Sequence, residues 1–180
     1  IDFSAEVDMI VVGSRGGGGF ADRLLGTVSS ALPAHAKCPV VVVPRHTSGK
    51  KFTPVDRIVV GIDGTDQPSC ALKHAIGEAR LWNARVTAVS AVPIAAGPSP
   101  TGVDHSALLA QVRAGMDAAI DAALDGDDLH VSRHALDGSA ASLLIEFSTA
   151  VDLVVVGTRG RGGLAGVLLG STSQTVLHHS

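Results

Sequence analysis

Two hydrophobic rhythms alternate along this chain. Val7 to Val12, Val40 to Val43, Arg57 to Ile62, Arg85 to Val92 and Leu153 to Val156 are short, β-branched and nearly continuous. Continuous runs of this kind mark strands buried on both faces, as in a parallel sheet covered by helices, whereas a half-buried strand alternates. Between the runs the period lengthens. Gln67 to Trp82 places Ala71, Leu72, Ala75, Ile76 and Ala79 on one stripe, with Lys73, Glu78 and Arg80 off it, which predicts an amphipathic helix. His105 to Leu124 repeats the pattern with Leu108, Leu109, Val112, Met116, Ala119, Ile120 and Ala123. Ala140 to Ala150 and Leu164 to His178 predict two further helices, and His130 to Ala135 is read as one more strand, the most poorly patterned of the set. Strands and helices in this order predict βαβ units, hence an α/β fold built on an open, doubly wound parallel sheet.

The chain also repeats itself. A shift that carries Ile1 onto Ile145 superimposes Ile1-Asp-Phe-Ser on Ile145-Glu-Phe-Ser, Val7-Asp8 on Val151-Asp152, and Leu24-Leu25-Gly26 on Leu168-Leu169-Gly170 without a gap. About half of the paired positions are identical. The repeat is far longer than the roughly 20 to 50 residues of a solenoid unit, so each copy is a domain. Residues 1–46 read as the closing part of a first domain, with its fourth strand, fourth helix and fifth strand. Residues 47–56 are a linker centred on the polar stretch between Pro44 and Pro54, and residues 57–180 are a second domain lacking its last strand. The expectation is a window on a longer tandem protein, with Val40 to Val43 beside the sheet edge that the second copy leaves vacant. Pro93 to Thr101 is read as a long loop.

Charge and composition narrow the partners. A formal net charge of −3 gives no basic footprint for nucleic acid. No apolar run approaches the roughly 18 residues of a membrane span, so a cytoplasmic protein without membrane contact is expected. Cys38 and Cys70 show neither a disulfide framework nor metal-ligand spacing, and each is expected to be a small buried hydrophobe. His178 and His179 are adjacent, whereas a helix presents metal-binding pairs three or four residues apart.

The chemistry lies in the glycines. After Leu153 to Val156 the chain runs Gly157-Thr-Arg-Gly160-Arg-Gly-Gly163 and later Gly170-Ser171-Thr172-Ser173. A glycine loop after a strand frees backbone N–H groups to converge on an anion, and a helix start with hydroxyls adds donors and a favourable dipole. Phosphate is the expected ligand. The alternative is that these glycines only allow close strand-to-helix packing. Gly13, Gly16, Gly26, Thr27 and Ser29 repeat the spacing in the first copy, which favours the functional reading. Asp63-Gly-Thr65 likewise has two readings: an acidic ligand contact, or a turn and helix entry whose carboxylate bonds local amides. Arg159 and Arg161 stand within the loop, either near phosphate or simply solvated.

Gly157-x2-Gly160-x9-Gly170-Ser171, repeated as Gly13-x2-Gly16-x9-Gly26-Thr27, resembles the signature of the ATP-binding branch of the universal stress protein family. Arg57-Ile-Val-Val-Gly-Ile-Asp63 is similar to that family's first strand and acidic turn, and Cys38-Pro-Val-Val-Val-Val-Pro44 to its last strand. The resemblance covers the chain in two pieces and is nearest to the tandem form common in actinobacteria. It implies a fold like the adenine nucleotide alpha hydrolases, strand order 3-2-1-4-5, with ATP, with or without Mg2+, across the strand ends at the switch point. Carried over residue by residue, Asp63 would bond the ribose or the adenine edge, and the backbone of Gly61 and Ala91 would flank the adenine. Gly157 would sit by the ribose, and Gly160, Gly170, Ser171, Thr172 and Ser173 would hold the phosphates. In the first copy Gly13, Gly16, Gly26, Thr27 and Ser29 form a half-site without an acidic turn.

Enzyme motifs are lacking. No Walker lysine, kinase signature or GxSxG is present, and the turn after the first strand is not GxGxxG. A nucleotide-dependent regulator of the stress response is the favoured reading, with no catalytic residue assigned. The alternatives are a slow ATPase or an adenylyl- or phosphotransferase, and a dimerisation module in which ATP is incidental. A homo-oligomer, or an intramolecular pseudo-dimer, through the last strand is the expected assembly.

Overall fold

A computed structural model describes residues 2–14, 25–44, 53–92, 104–158 and 169–180. In chain order the strands are β1 (Ile10–Gly13), β2 (Val40–Val43), β3 (Arg57–Gly61), β4 (Arg85–Val92), β5 (Val131–Asp137) and β6 (Leu153–Val155). The helices are α1 (Thr27–His35), α2 (Cys70–Trp82), α3 (His105–Leu124), α4 (Ala140–Ser148) and α5 (Ser171–His179), and a 3-10 turn at Asp2–Ala5 precedes β1. No helix among the described residues is long and apolar enough to cross a membrane.

Every ladder is parallel. One sheet runs β5-β4-β3-β6, which is the order 3-2-1-4 in the numbering of the second repeat, and a separate two-stranded sheet pairs β1 with β2 as 4-5 of the first. Together they spell the expected order, divided between the two copies. Val40–Val43 pairs with Ile10–Gly13, from Ile10 opposite Val40 to Gly13 opposite Val43. It therefore does not fill the edge beside β6, contrary to the expectation from the repeat. The physical reason is local: β1 and β2 belong to one copy and are joined through α1 by a short crossover.

Both faces of the larger sheet are buried, which explains the unbroken apolar runs. Ile58, Val60, Val86, Ala88 and Val92 pack against the stripes of α2 and α3, including Leu72, Ile76, Met116 and Ile120. Val59 and Val89 point the other way, onto Leu144 of α4 and Val176 of α5. The poorly patterned strand is longer than expected, because β5 pairs with β4 all the way from Val131 opposite Val86 to Asp137 opposite Val92. Cys38 is partly exposed and Cys70 exposed, so neither is the buried hydrophobe expected of it. Cys70 instead opens α2.

Helix ends are set by side chains at three of the five helices. Ser69 accepts from the Leu72 amide, Asp104 from Ser106 and Ser139 from Ser142. Each such cap is worth about 1 kcal/mol. At their far ends α2 and α3 stop at Asn83 and Asp125 in the left-handed region, φ 55° and 49°.

Candidate functional site

The four-stranded sheet changes winding direction between β3 and β6. The crossovers α2 and α3 cover one face, whereas α4 and α5 cover the other. In an open α/β sheet the carboxyl ends of the strands at such a point form the natural crevice. Val60 lies opposite Val155, so the segments leaving β3 and β6 start side by side, about 4.8 Å apart.

From β3 the chain enters the acidic turn. Asp63 Oδ1 accepts the Thr65 amide at 3.1 Å and the Thr65 hydroxyl at 2.8 Å. Gly64 is buried and bends the chain at φ 69°, a conformation that favours glycine. Asp63 Oδ2 makes no hydrogen bond among the described residues. The two readings of Asp63 are therefore compatible: one oxygen builds the turn, and the other is available to a ligand.

From β6 the chain reaches Gly157 and Thr158, both exposed. Residues 159–168, with Gly160, Arg159 and Arg161, lie outside the described residues, as do Gly16 and Pro93 to Thr101. Their flanks are tied together: the Gly170 amide donates to the Thr158 carbonyl at 2.7 Å. The Ser173 hydroxyl, buried under the helix start, donates to the Gly170 carbonyl at 2.9 Å and toward that of Thr158 at 3.4 Å. The first repeat builds the same clamp. Gly26 N–H donates to the Ser14 carbonyl at 2.7 Å, and the Ser29 hydroxyl donates to Ser14 at 2.8 Å and Gly26 at 3.1 Å.

Gly170 and Gly26 cap α5 and α1 without any side-chain hydrogen bond. The first amide of α5 bonded within the helix is that of Gln174, to the Gly170 carbonyl at 3.0 Å. The amides of Ser171, Thr172 and Ser173 are thus the orphan donors of a helix start, and the hydroxyls of Ser171 and Thr172 have no partner among the described residues. An anion would complete this helix end as a side chain completes α2, α3 and α4. Ser173 differs from Ser171 and Thr172 in that its hydroxyl proton serves the clamp. In the first repeat both Ser29 and Ser30 turn their hydroxyls to the Gly26 carbonyl, at 3.1 and 2.8 Å. Thr27 is exposed, as is Gly13 at the end of β1, and no acidic turn stands beside them among the described residues.

Gly61 has a packing reason for being glycine. A Cβ there would come within 2.8 Å of Leu144 Cδ1 and 3.6 Å of Val156 Cγ1. Ala91 is partly exposed on β4, opposite Leu136, and one residue beyond Ser90. Ser90 is 1% exposed, and its hydroxyl has no partner among the described residues. At the outer edge of the same strand ends His105 Nε2 meets Asp137 Oδ1 at 2.8 Å. Beside it the hydroxyl and then the amide of Ser106 hold the Asp104 carboxyl below its ordinary pKa. No group of three metal-ligating side chains occurs among the described residues.

Sequence reasoning missed Gly115 of α3. A Cβ on it would overlap the Gly64 carbonyl oxygen and stand 3.1 Å from the Gly64 carbonyl carbon. A glycine in mid-helix costs about 1 kcal/mol relative to alanine, and that cost was the available signal.

A family model described as the universal stress protein family matches residues 1–44 and 54–180. Universal stress protein Rv2005c of Mycobacterium tuberculosis is 36% identical over 185 residues, 99% of this chain and 61% of its own length. Universal stress protein Rv2623 of the same organism is 34% identical over 186 residues, 98% of this chain and 60% of its own. The chain thus spans about three-fifths of the curated relatives it matches. Among solved structures, a putative universal stress protein from Pseudomonas aeruginosa superimposes with TM-score 0.66 at 22% identity over 99% of this chain and 62% of its own. A universal stress protein in complex with cAMP superimposes with TM-score 0.53 at 25% identity, covering 71% of this chain and 93% of its own.

Proposed function

This chain belongs to the universal stress protein family, and we propose that it binds ATP at the carboxyl ends of β3 and β6 as a nucleotide-dependent regulator. The observation that carries the reading is the pairing of two features on neighbouring strands. Asp63 presents a carboxylate oxygen with no partner among the described residues after β3, and after β6 an uncapped helix start is held to Thr158. An adenine nucleotide has the matching polarity, since its ribose hydroxyls and exocyclic amine donate and its phosphates accept.

In this reading Asp63 bonds the ribose or the adenine edge, the backbone of Gly61 and Ala91 flanks the base, and Gly157 lies by the ribose. Gly160, Gly170, Ser171, Thr172 and Ser173 hold the phosphates, Ser173 through its amide. Mg2+, if it accompanies ATP, is held by phosphate oxygens and water, because Asp63 is the one carboxylate in this set. Gly13, Gly16, Gly26, Thr27 and Ser29 form a phosphate half-site, with no acidic turn beside it among the described residues. Bound ATP then favours whichever conformation or oligomer binds it better, by its differential affinity.

A second reading follows from the solved relative in complex with cAMP: a cyclic nucleotide would use the same acidic turn and fewer amides. Titration calorimetry with ATP and cAMP on the purified protein and on Asp63→Ala separates the two. ATP is expected to bind more tightly than cAMP, and Asp63→Ala to weaken ATP roughly tenfold, the value of one hydrogen bond to a charged group. Tighter cAMP binding moves the reading to the cyclic nucleotide. Absence of binding by both, or indifference to Asp63→Ala, rejects the site.

A further inference from the structure

Gly115 lies in the middle of α3, a helix whose flanking residues Val112, Met116 and Ala119 are buried in the core. A second glycine, Gly77 of α2, has open space where its Cβ would be. The two glycines thus carry the same helix cost for different reasons. At Gly77 nothing occupies the vacant position. At Gly115 the backbone of Gly64 does, with its carbonyl oxygen seated where the Cβ would stand and the Thr65 carbonyl carbon 3.4 Å away.

That backbone is the acidic turn itself. Gly64 sits between Asp63 and Thr65, whose amide and hydroxyl hold Asp63 Oδ1. Any displacement of the Gly64 carbonyl moves Asp63 and Thr65 together and re-aims the free Oδ2. The turn cannot retreat cheaply, because Gly64 is buried at φ 69° and Ile62, just before it, is tied to the Val89 carbonyl of β4 at 2.9 Å.

We infer that Gly115 is a positioning residue for the ligand-binding turn: its missing side chain seats the Gly64 carbonyl against α3 and so fixes where Asp63 Oδ2 stands. The inference rests on the reading of Asp63 as the nucleoside contact, and it adds that α3 sets the reach of that contact. Asp63 Oδ2 must meet its ligand group within hydrogen-bond distance, so a shift of a fraction of an ångström in the turn is felt as affinity.

The experiment compares Gly115→Ala with Gly77→Ala and Asp63→Ala in the full chain, at a temperature where circular dichroism shows each variant folded. Two readouts are taken. Without ligand, the amide resonances of Gly64 and Thr65 in heteronuclear NMR are expected to move in Gly115→Ala and to stay in Gly77→Ala. With ATP as probe, the dissociation constant is expected to rise roughly tenfold in Gly115→Ala, as for loss of one hydrogen bond to a carboxylate, and to be unchanged in Gly77→Ala.

Unmoved Gly64 and Thr65 resonances, or wild-type ATP affinity in a folded Gly115→Ala, overturn the inference. If Asp63→Ala keeps wild-type affinity, the nucleoside reading itself has failed, and the resonances alone then decide whether α3 positions the turn. Should Gly115→Ala not fold, ATP is titrated into the wild type. A shift of the Gly115 amide together with those of Gly64 and Thr65 supports the inference, and a stationary Gly115 amide overturns it.

Discussion

Asp152 grips Arg57 twice: its Oδ2 accepts the Arg57 backbone amide at 3.0 Å, and its Oδ1 takes the Arg57 guanidinium at 3.2 Å. The Asp56 amide adds a third bond at 3.2 Å, and the Asp152 amide returns one to the Arg57 carbonyl at 2.9 Å. These bonds fasten the start of β6 to the start of β3, at the sheet end opposite the candidate site. Burial alone would raise the Asp152 pKa, but the guanidinium and the two amides outweigh it and hold the group below the usual carboxylate value.

The sign of the pH effect follows. A carboxyl with a depressed folded-state pKa adds stability above its unfolded pKa of about 3.9 and loses it as pH falls through the lower folded value. Asp152→Asn keeps an oxygen that can accept the two amides and loses the charge that faces a half-exposed guanidinium, so it is expected to cost up to about 1 kcal/mol at neutral pH. The gap between mutant and wild type should narrow as pH falls below the unfolded value and close once it passes below the lowered folded one. Urea unfolding followed through Trp82, the single tryptophan, measures both; a gap independent of pH would contradict the assignment.

Ser90 is a stability defect in the core. Its hydroxyl is buried on the same face of β4 as Val86, Ala88 and Val92, with no partner among the described residues. A buried hydroxyl left unbonded costs about 1 to 3 kcal/mol, and removing it recovers part of that. Ser90→Ala should raise the unfolding free energy by about 1 kcal/mol. A loss of stability in the same urea titration would show that the hydroxyl is satisfied in solution.

The clamp separates hydroxyls that look alike in sequence. Ser171, Thr172 and Ser173 follow Gly170 as equivalent donors, yet only the Ser173 hydroxyl turns inward, to the carbonyls of Gly170 and Thr158. Ser173→Ala should cost about 1 kcal/mol of stability by losing that bond, and Ser29→Ala should cost a similar amount in the first copy. Thr172→Ala removes a partly exposed hydroxyl with no partner among the described residues, so it should leave stability within about 0.5 kcal/mol and act on ATP affinity. Equal stability losses at 172 and 173 would remove the distinction.

Where local pattern dominates, the sequence sufficed. Arg85–Val92, His105–Leu124 and Val40–Val43 fall where the hydrophobic runs place them. Boundaries moved where a single bond decides them: α2 begins at Cys70 rather than Gln67 because Ser69 caps it. β1 begins at Ile10 rather than Val7, since Ile10 is the first residue that faces a partner, Val40. The glycine spacing alone is what raised the expectation of an anion site. What they could not disclose is long-range contact. Gly61 is glycine for Leu144 and Gly115 for Gly64, and no spacing rule links residues so far apart in the chain. The division of labour between the two oxygens of Asp63 was equally hidden, because it depends on the path of the turn.

The uncapped helix starts supply the sharpest contrast between the repeats. Gly170 and Gly26 have nearly the same extended geometry, φ −72° and −73°, and neither supplies a cap. An aspartate at such a position bonds the helix amides itself, and relative to glycine it gains only a few tenths of a kcal/mol. It also puts a negative charge where phosphate would sit. Gly170→Asp is therefore expected to fold as stably as wild type, or slightly more so, while losing ATP affinity by roughly a hundredfold, from the lost amides and the added repulsion. Gly26→Asp makes the same change in the first repeat, where the described residues include no acidic turn, and should leave the ATP affinity of this chain at the wild-type value. Calorimetric titration of both variants, with thermal melts alongside, measures each quantity. If the two lose ATP equally, the first repeat takes part in binding and is more than a half-site.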